Sequence, residues 1–539
     1  MILSFTHKLF NSLALSSLML ICLFSACKEE AYIGKDPYGD ARPPLDMKLN
    51  TLASSPVQGS IGSVVTLSGS GFKKYEELLI VEFNGQKANV VGVTETAIKA
   101  EVPLWASSGI VTITVGSQIL PGPKFKVAGN VSIDNTFKSY VGANNIVRSI
   151  TALPDGRMVI VGDFTDYNNV GTRAGYGRLA IISEDGTIDK SFRLGSGIPS
   201  GSLNHTALLQ DGKILVGGSI ASFNNKKNKI GNILKLSLTG VLDSTVYSYF
   251  NKMGEIKKDT VPGFNAFFSN EVNRMMVQPD GNVLVIGNFK YYMRKTYYPD
   301  QKDTIITDSV VVNNVARISP SGELDKTYNF NVQANESNNS FNGSIREAYM
   351  MEDGKMLAVG NFSAYNGEAV NKIARINLDG TLDKTFNIGS GPSGQVYCIR
   401  PYPGGKLLVS GEFLTFNGKP MPKVVLLNSD GSVDEGFNTG IGPDGIVNRA
   451  VALANGKILI TGNFQKFNNI NRYGFAILEP NGTLSPGNNT MGGFIFADNT
   501  FRSPVQDVLN VEGQNASILV GSFNSLDLQQ NNRLVKITY

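Results

Sequence analysis

The chain is poor in the side chains on which most enzyme sites depend. Of its 539 residues only two are histidine, His7 and His205, three are cysteine and one is tryptophan. A histidine-based catalytic triad or a histidine-rich zinc site cannot be assembled from so few groups. The sequence also contains no calcium-loop motif and no phosphate-cradling glycine loop with its lysine. It therefore predicts no catalytic residue, no metal site and no cofactor.

Net charge is also small for a chain of this length. Lysine and arginine number 49 and aspartate and glutamate 45, which leaves a formal charge of +4 at pH 7. A nucleic-acid-binding protein usually carries a clear excess of basic residues on one surface. The balance predicts no nucleic-acid partner and no electrostatic membrane patch.

The N-terminus predicts an export signal over residues 1–26. His7 and Lys8 precede an apolar run that ends at Phe24, and small residues follow it directly before Cys27. The stretch from Leu23 to Cys27 resembles a bacterial lipobox, which implies that Cys27 is acylated and becomes the first mature residue. Residues 28–30, Lys-Glu-Glu, resemble the export tag of surface lipoproteins from glycan-scavenging Gram-negative bacteria. The resemblance implies a lipid-anchored outer-membrane protein that faces the cell exterior. A secreted protein in which Cys27 is incidental is the alternative.

The remaining cysteine, Cys398, has no predicted disulfide partner. Cys22 and Cys27 fall in the signal or at its cleavage point, so the mature chain has no possible intramolecular disulfide. Cys398 lies in the apolar alternation of residues 396–399, a setting typical of a buried structural thiol. We expect it to be a packing residue and not a nucleophile.

Two segments precede the largest part of the chain. Residues 27–54 contain several prolines and little apolar periodicity, which predicts a flexible tether. Residues 55–128 alternate apolar and polar positions in short runs separated by glycine, which predicts an antiparallel sandwich. The run Gly69-Ser70-Gly71-Phe72 and the later Phe-Asn-Gly and Val-Pro pairs resemble the IPT/TIG family of immunoglobulin-like domains. That resemblance implies a spacer or interaction module without catalysis. Trp105 is expected to pack beside the Val-Pro turn, with a surface platform as the alternative.

Residues 129–539 contain a repeat, whose clearest copy runs from Asp353 to Phe362. The second glycine of each copy serves as a marker. These markers are Gly162, Gly218, Gly287, Gly360, Gly411, Gly462 and Gly521. Spacings of 51 to 73 residues suit a four-stranded propeller blade, and Asp-Gly and Asn-Gly pairs suit hairpin turns. The phrase at 379–386, Asp-Gly-Thr-Leu-Asp-Lys-Thr-Phe, resembles the delta-60 repeat, which implies a propeller-like fold. The predicted fold is all-β, an N-terminal Ig-like sandwich followed by a seven-bladed β-propeller.

The two ends of the repeat region complement each other. Residues 131–137 look like a fourth strand with no first three before it, and residues 533–539 look like a third strand with no fourth after it. Pairing of these ends would complete the last blade and close the ring, which removes exposed sheet edges.

An aspartate recurs after the turn between the third and fourth strands of each copy, as Asp134, Asp189, Asp243, Asp325, Asp383 and Asp434. A ring of carboxylates suggests catalysis or metal binding, but a residue repeated in nearly every blade is more simply a turn cap. Aromatic-asparagine pairs at 167, 223, 365, 416 and 467 receive the same interpretation. A glycosidase that uses a carboxylate pair needs only acidic residues, and it remains the alternative function.

The two longest spacings contain insertions at about residues 247–268 and 290–312. Both connections emerge on the same face of an up-and-down blade, so we expect them to lie side by side as irregular loops and to bind ligand. The predicted ligand-binding residues are Tyr247, Tyr249, Phe250, Tyr291, Tyr292, Tyr297 and Tyr298. The alternative is that these aromatic side chains only pack the insertions against the blade. The sequence thus predicts a non-catalytic surface binding or scaffold lipoprotein. Its expected partner is a polysaccharide or oligosaccharide, or a protein of an outer-membrane nutrient-uptake complex.

Overall fold

A computed structural model describes residues 45–171, 176–224, 226–227, 230–299, 305–495 and 503–539. The predicted export signal, Cys27 and most of the predicted tether lie outside these residues. The described residues form strands throughout, with one short 3₁₀ helix at Lys73–Tyr75. Within these ranges no helix is long and apolar enough to cross a membrane.

The first domain is a two-sheet sandwich, as predicted. Ordered contacts begin before residue 55, because the Asn50 amide donates to Ser68 O at 2.8 Å. The predicted tether therefore ends earlier than expected. Phe83 and Phe125 from one sheet meet edge to face at 5.2 Å and fill the space between the sheets. A two-residue strand, Lys48–Leu49, comes first in the chain. One sheet contains Val64–Ser70, Ala97–Glu101 and Asn89–Val93, and the other contains Gln58–Ser60, Gln118–Ala128, Gly109–Val115, Leu79–Phe83 and Gln86–Lys87.

The second domain is a β-propeller. The described part of the repeat region contains seven antiparallel sheets of like order, here called blades 1 to 7, each with an inner, a middle and a third strand. The inner strands are Val147–Ala152, Ser202–Leu208, Val272–Val277, Ser344–Met350, Val396–Tyr402, Ile446–Ala452 and Val505–Asn510. The middle strands are Met158–Gly162, Ile214–Ser219, Val283–Gly287, Met356–Asn361, Lys406–Gly411, Ile458–Asn463 and Ala516–Gly521. The third strands are Leu179–Ile182, Ile233–Leu236, Val315–Ile318, Ile373–Ile376, Val424–Leu427, Phe475–Leu478 and Leu534–Thr538.

The fourth strand of a blade is much shorter than the sequence pattern predicts, which for blade 5 is residues 433–437. In blade 5 it is a single bridge, Val433 opposite Leu427, followed by a hydrogen bond that the Asp434 amide donates to Leu426 O at 2.9 Å. The chain then turns, because the Asp434 carboxylate accepts the Gly436 amide at 2.9 Å. The same single bridge occurs in blades 1 to 6. The side-chain cap at the aspartate therefore ends the strand that the sequence pattern would have continued.

The ends of the repeat region pair as predicted. Ser132–Ile133 forms the fourth strand of blade 7, with Ser132 opposite Thr538 and Ile133 opposite Ile537. Each inner strand also contacts the inner strand of the next blade, and that of blade 7 contacts that of blade 1. The described blades thus follow one another in a closed cycle, which leaves no blade edge open at the junction.

A glycine at the end of each middle strand is required by the inner strand beside it. Every inner strand has a β-bulge near its start, for example between Val396 and Cys398. The bulge presses the preceding carbonyl against the glycine, so that a Cβ on Gly411 would lie 2.1 Å from Gln395 O. A Cβ on any of the other six markers would lie 1.9 to 2.2 Å from the equivalent carbonyl oxygen. The glycine that marks the repeat in the sequence is therefore a steric consequence of the bulge.

The sandwich packs on the propeller and is not a free spacer. The Ser108 amide donates to Thr490 O at 2.8 Å, and Arg472 Nη1 donates to Trp105 O at 3.2 Å. Trp105 also packs against the apolar core shared by blades 5 and 6, which includes Leu408 and Phe464. Its role is therefore in the contact between the domains. Arg472 lies in a middle-to-third connection and Thr490 in a connection that leads to an inner strand. Both connections belong to one face of the ring, here called the insertion face.

Candidate functional site

The recurring aspartates are structural caps in the described blades. Asp189, Asp325 and Asp383 each accept the backbone amide two residues ahead at 2.8 to 2.9 Å. The predicted capping role is confirmed for these residues and for Asp134 and Asp434. The remaining one, Asp243, bonds Lys213 Nζ at 2.6 Å instead.

A basic residue of the same blade contacts the second carboxylate oxygen of each of these capping aspartates. In blade 4, Lys355 and Arg375 contact Asp383 Oδ2 at 2.8 and 2.7 Å. Burial alone would raise the pKa of Asp383, but Lys355, Thr385 and Arg375 outweigh it and hold that pKa well below its usual range. A carboxylate so fully engaged stabilises its turn and has no oxygen to spare for a substrate.

The aromatic-asparagine pairs are also structural. Asn417 adopts a positive φ of 52° in the short hairpin beyond the middle strand, and its Oδ1 accepts the Gly391 amide at 2.8 Å. In two other copies the aromatic member is a buried tyrosine whose hydroxyl donates to a backbone carbonyl, from Tyr167 to Gly186 O at 2.7 Å and from Tyr365 to Gly380 O at 2.6 Å. These groups fix the connections of the insertion face.

The two insertions are regular β-hairpins and not the irregular loops expected. The first pairs Ser244–Phe250 with Ile256–Pro262. The second pairs Tyr291–Tyr297 with Ile305–Val311, and Phe267–Phe268 joins it as a third strand. Both lie on the insertion face, because one precedes an inner strand and the other links a middle strand to a third strand. The strand alternation of their Tyr, Thr and Val residues was the signal that could have revealed them.

The structure brings the two insertions together, as their topology predicts. The Phe250 amide donates to Pro299 O at 2.6 Å, which joins one hairpin to the tip of the other. The ring of Tyr247 lies 5.1 Å from that of Tyr297 and 5.8 Å from that of Tyr249, measured between centroids. Three of the predicted tyrosines therefore form one cluster across the two insertions.

The other predicted ligand residues differ in exposure. Phe250 and Tyr298 are each 42% exposed and Tyr291 is 36% exposed, so all three offer a surface to a ligand. Tyr292 is only 4% exposed and packs with Phe268 in the core of blade 3. Its hydroxyl donates to Gly322 O at 2.7 Å, and burial raises its pKa. Tyr292 therefore supports the insertion and presents no surface to a ligand.

The first hairpin also has an apolar side. Successive residues of a strand point to opposite faces, so Val246 and Phe250 lie on the side opposite Tyr247 and Tyr249. Ile256, directly opposite Phe250 in the pairing, extends this side. Val246, Phe250 and Ile256 are exposed. The hairpin thus presents one tyrosine side and one apolar side.

A buried charged cluster lines the centre of the ring, where the sequence analysis placed nothing. Glu347 forms ion pairs with Arg400 and with Arg274, the latter at 3.2 Å. Arg400 also lies 3.7 Å from Asp507. Burial alone would raise the pKa of Glu347, but Arg400, Arg449 and Arg274 outweigh it and lower that pKa to about 2. Glu347 is therefore ionised at neutral pH.

Cys398 and His205 lie beside this cluster and are inert. Cys398 is a free and fully buried thiol, which confirms the predicted packing role. Burial and the nearby Glu347 raise its pKa to about 11. Burial, together with Arg274 and Arg400, lowers the pKa of His205 well below its usual value, so its imidazole is neutral. Neither group has the ionisation state of a nucleophile or of a general acid near pH 7.

Family comparisons agree with this architecture. Residues 51–127 match the IPT/TIG domain. Residues 153–192, 352–386, 403–437 and 453–486 match a β-propeller family described as a domain of unknown function, DUF5122. The sandwich is thus similar to the IPT/TIG domain, and four of the described blades are similar to DUF5122. No curated protein matches it by sequence.

Several solved structures are similar in fold. The WD40 β-propeller domain of Doa1 is 16% identical over 76% of this chain and 96% of its own, with a TM-score of 0.40. An auxiliary nutrient-binding protein from Bacteroides ovatus is 14% identical over 92% of this chain and 99% of its own, with a TM-score of 0.30. One of the same description from Bacteroides thetaiotaomicron is 12% identical over 92% and 98%, with a TM-score of 0.29. Likenesses at this level carry no argument about function.

Proposed function

We propose that this protein is a non-catalytic binding lipoprotein at the outer surface of the outer membrane, and that it binds a glycan. The observation that carries the proposal is the meeting of the two insertions, which gathers Tyr247, Tyr249 and Tyr297 on one face of a closed ring. Connections that project from a rigid scaffold are common places for binding. A tyrosine offers a sugar both an apolar ring and a hydrogen-bonding tip.

A protein partner is the second candidate, and the apolar side of the first hairpin favours it. Val246 and Ile256 are 62% and 66% exposed, and Phe250 lies between them on the same side. Exposed apolar side chains grouped on one surface are typical of protein contacts. A transport protein of a nutrient-uptake complex would suit a glycan-binding surface lipoprotein, since the hairpin would hold ligand on one side and partner on the other.

The ionisation of Glu347 and of the capping aspartates supports binding over hydrolysis. A glycosidase needs one carboxylic acid that stays protonated near neutral pH. Glu347 has a pKa of about 2, and hydrogen bonds from the residue two ahead together with a basic neighbour lower the pKa of the caps described above. These groups stay charged and engaged, so none of them suits the role of a general acid.

Affinity electrophoresis on a polysaccharide panel, with reducing ends assayed in parallel, tests the proposal. For a polysaccharide that retards the wild type, the double variant Tyr249→Ala, Tyr298→Ala should bind at least tenfold more weakly, because stacking surface is lost. Tyr140→Ala is the matched control, since Tyr140 is 65% exposed and lies outside both insertions. Equal binding by the double variant at an unchanged melting temperature would contradict the glycan surface. Release of reducing ends would instead support the enzyme alternative.

Anchoring at Cys27 is tested separately. Two or three acyl chains hold a protein stably at a membrane, at about 0.8 kcal/mol per buried methylene group. Cells that express the wild type should incorporate labelled fatty acid into the protein, and Cys27→Ala should abolish both the label and the membrane association. Equal labelling of the variant would show that the lipid is attached at a residue other than Cys27.

A further inference from the structure

The bulge in each inner strand places one residue of every blade in a ring around the axis. In each case the register shift leaves one residue of the inner strand without a partner in the middle strand. These seven bulge residues are Arg148, Asn204, Asn273, Arg346, Tyr397, Asn448 and Gln506. All seven carry hydrogen-bonding groups.

A cavity of about 120 Å³ lies on the axis beside this ring. Its lining comes from six different inner strands, through Arg148, Asn204, Arg274, Arg346, Arg449 and Gln506. Only a cavity on the axis can touch the inner strands of six blades. An enclosed cavity of about 150 Å³ admits a benzene molecule. The present cavity is smaller but is open on one side, so a six-membered ring can enter it in part. We call it the axial cavity.

Two of the arginines that line the axial cavity form no ion pair at contact distance with any described residue. Arg148 is neutralised by Asp163, which accepts from Nε at 3.2 Å and from Nη2 at 2.6 Å. Arg274 is paired with Glu347. Within the described ranges, neither Arg346 nor Arg449 has a carboxylate at ion-pair distance. The cavity therefore has an excess of positive charge that an anion would neutralise.

The partners of Arg449 leave much of its guanidinium available. Its Nε donates to Gln506 O at 2.7 Å and its Nη1 to Asn448 O at 3.0 Å. Both acceptors are neutral backbone carbonyls, and they fix the side chain at the wall of the cavity. A guanidinium has five N–H donors, so three remain for a ligand. Arg346, which is exposed, lies at the cavity and is free to approach from the other side.

The same cavity contains a buried acceptor that lacks a donor. Glu347 Oε1 is engaged by Arg400 and Arg274, but among the described residues no ion pair or well-aligned hydrogen bond reaches Glu347 Oε2. Buried acceptors of this kind are costly unless a ligand or water supplies the donor. Hydroxyl groups are suitable donors. A ligand that matches the cavity therefore carries both an anionic group and hydroxyl groups.

We propose that the axial cavity binds a hydroxylated six-membered ring that carries a carboxylate, namely a hexuronate unit of an acidic glycan. The carboxylate lies between Arg346 and Arg449, because the planar guanidinium group matches carboxylate geometry. A ring hydroxyl donates to Glu347 Oε2. This site is distinct from the tyrosine surface of the insertions and does not depend on it.

Isothermal titration with two matched sugars tests the site. D-galacturonate and D-galactose share one ring and differ in the carboxylate, so galacturonate should bind the wild type at least tenfold more tightly. Arg346→Gln should remove at least nine tenths of that difference, because it deletes an exposed charge without touching the core. Arg193→Gln is the matched control, since Arg193 is exposed and lies outside the cavity. It should leave the affinity unchanged.

The outcomes that overturn the proposal are specific. Absence of galacturonate binding at millimolar concentration would show that the cavity takes no hexuronate. Equal affinity for galacturonate and for sulfate would show a general anion site without the hydroxyl contacts. Unchanged affinity in Arg346→Gln would place the binding elsewhere. The double variant Tyr249→Ala, Tyr298→Ala should bind galacturonate as the wild type does. A loss there would assign the sugar to the insertions instead.

Discussion

At the scale of single residues, the repeat is readable because a steric requirement recurs seven times. The carbonyl of Gln395 lies where a side chain of Gly411 would begin, and the bulge at Tyr397 puts it there. Glycine was recognised in the sequence as a marker of position. The reason why this position must be glycine is the bulge in the neighbouring strand. That bulge could not be inferred, because it depends on which residues are paired across the sheet.

Replacing this glycine should destabilise the propeller. Gly411→Ala would place Cβ 2.1 Å from a backbone oxygen, so the strands must separate. We expect a loss of about 1–3 kcal/mol in the free energy of unfolding, the usual range for overpacking. Gly92→Ala is the control, because Gly92 is also in a strand and a Cβ there meets nothing within 4 Å. Urea denaturation of both variants measures the difference, and equal stability would refute the steric account.

Glu347 should make stability depend on pH in a defined window. Its pKa is about 2 in the folded protein against 4.5 for the ordinary group, so the folded state binds fewer protons than the unfolded state between these values. The stabilisation by its charge is present above pH 4.5 and is lost as the pH falls towards 2. It amounts to about 3 kcal/mol at most.

Glu347→Gln tests this sign. The variant should be less stable than the wild type at pH 7, and the gap between the two should narrow as the pH is lowered below 4.5. Urea denaturation at a series of pH values measures the gap. If the difference in the free energy of unfolding between the wild type and Glu347→Gln stays constant or widens at low pH, the assignment of a stabilising charge to Glu347 is contradicted.

At the scale of strands, alternation and turn residues predicted the three long strands of a blade well. They did not predict where the fourth strand stops, because the stop depends on the Asp434 cap and its amide partner, Gly436. Nor did they reveal that the insertions are hairpins, although Tyr291–Tyr297 and Ile305–Val311 do alternate. Length alone suggested loops, and the strand pattern inside the insertions was overlooked.

The closing strand should matter more than its length suggests. Deleting residues 534–539 removes the strand that links Ala516–Gly521 to Ser132–Ile133, so it exposes two sheet edges at once. We expect a clearly lower melting temperature and a tendency to aggregate. Deleting Tyr539 alone is the comparison, because it removes the hydrogen bonds of Tyr539 to Asn515 and Ser517 but keeps the paired strand, which ends at Thr538. Equal melting of the two truncated proteins would show that closure contributes little.

At the scale of the whole molecule, the domain order was predictable and the candidate sites were only partly so. The insertions could be placed on one face because connection topology fixes it. The axial cavity could not be predicted from the sequence, since Arg148 and Gln506 meet there from strands that are far apart in sequence. The signal that could have revealed the cavity was a pair of adjacent polar residues near the start of the inner strands, such as Asn273-Arg274 and Arg346-Glu347. The sandwich was expected to be a spacer, but contacts such as Ser108 with Thr490 place it on the insertion face.

The central claim is that binding takes place on the insertion face, and hydrogen exchange tests it most directly. Amide exchange would be followed by mass spectrometry with and without the polysaccharide that the affinity panel identifies. We predict slower exchange in peptides from residues 244–262 and 291–311, and no change in the turns at Gly404 and Gly456 on the opposite face. Protection confined to those turns, with both insertions unaffected, would contradict the account.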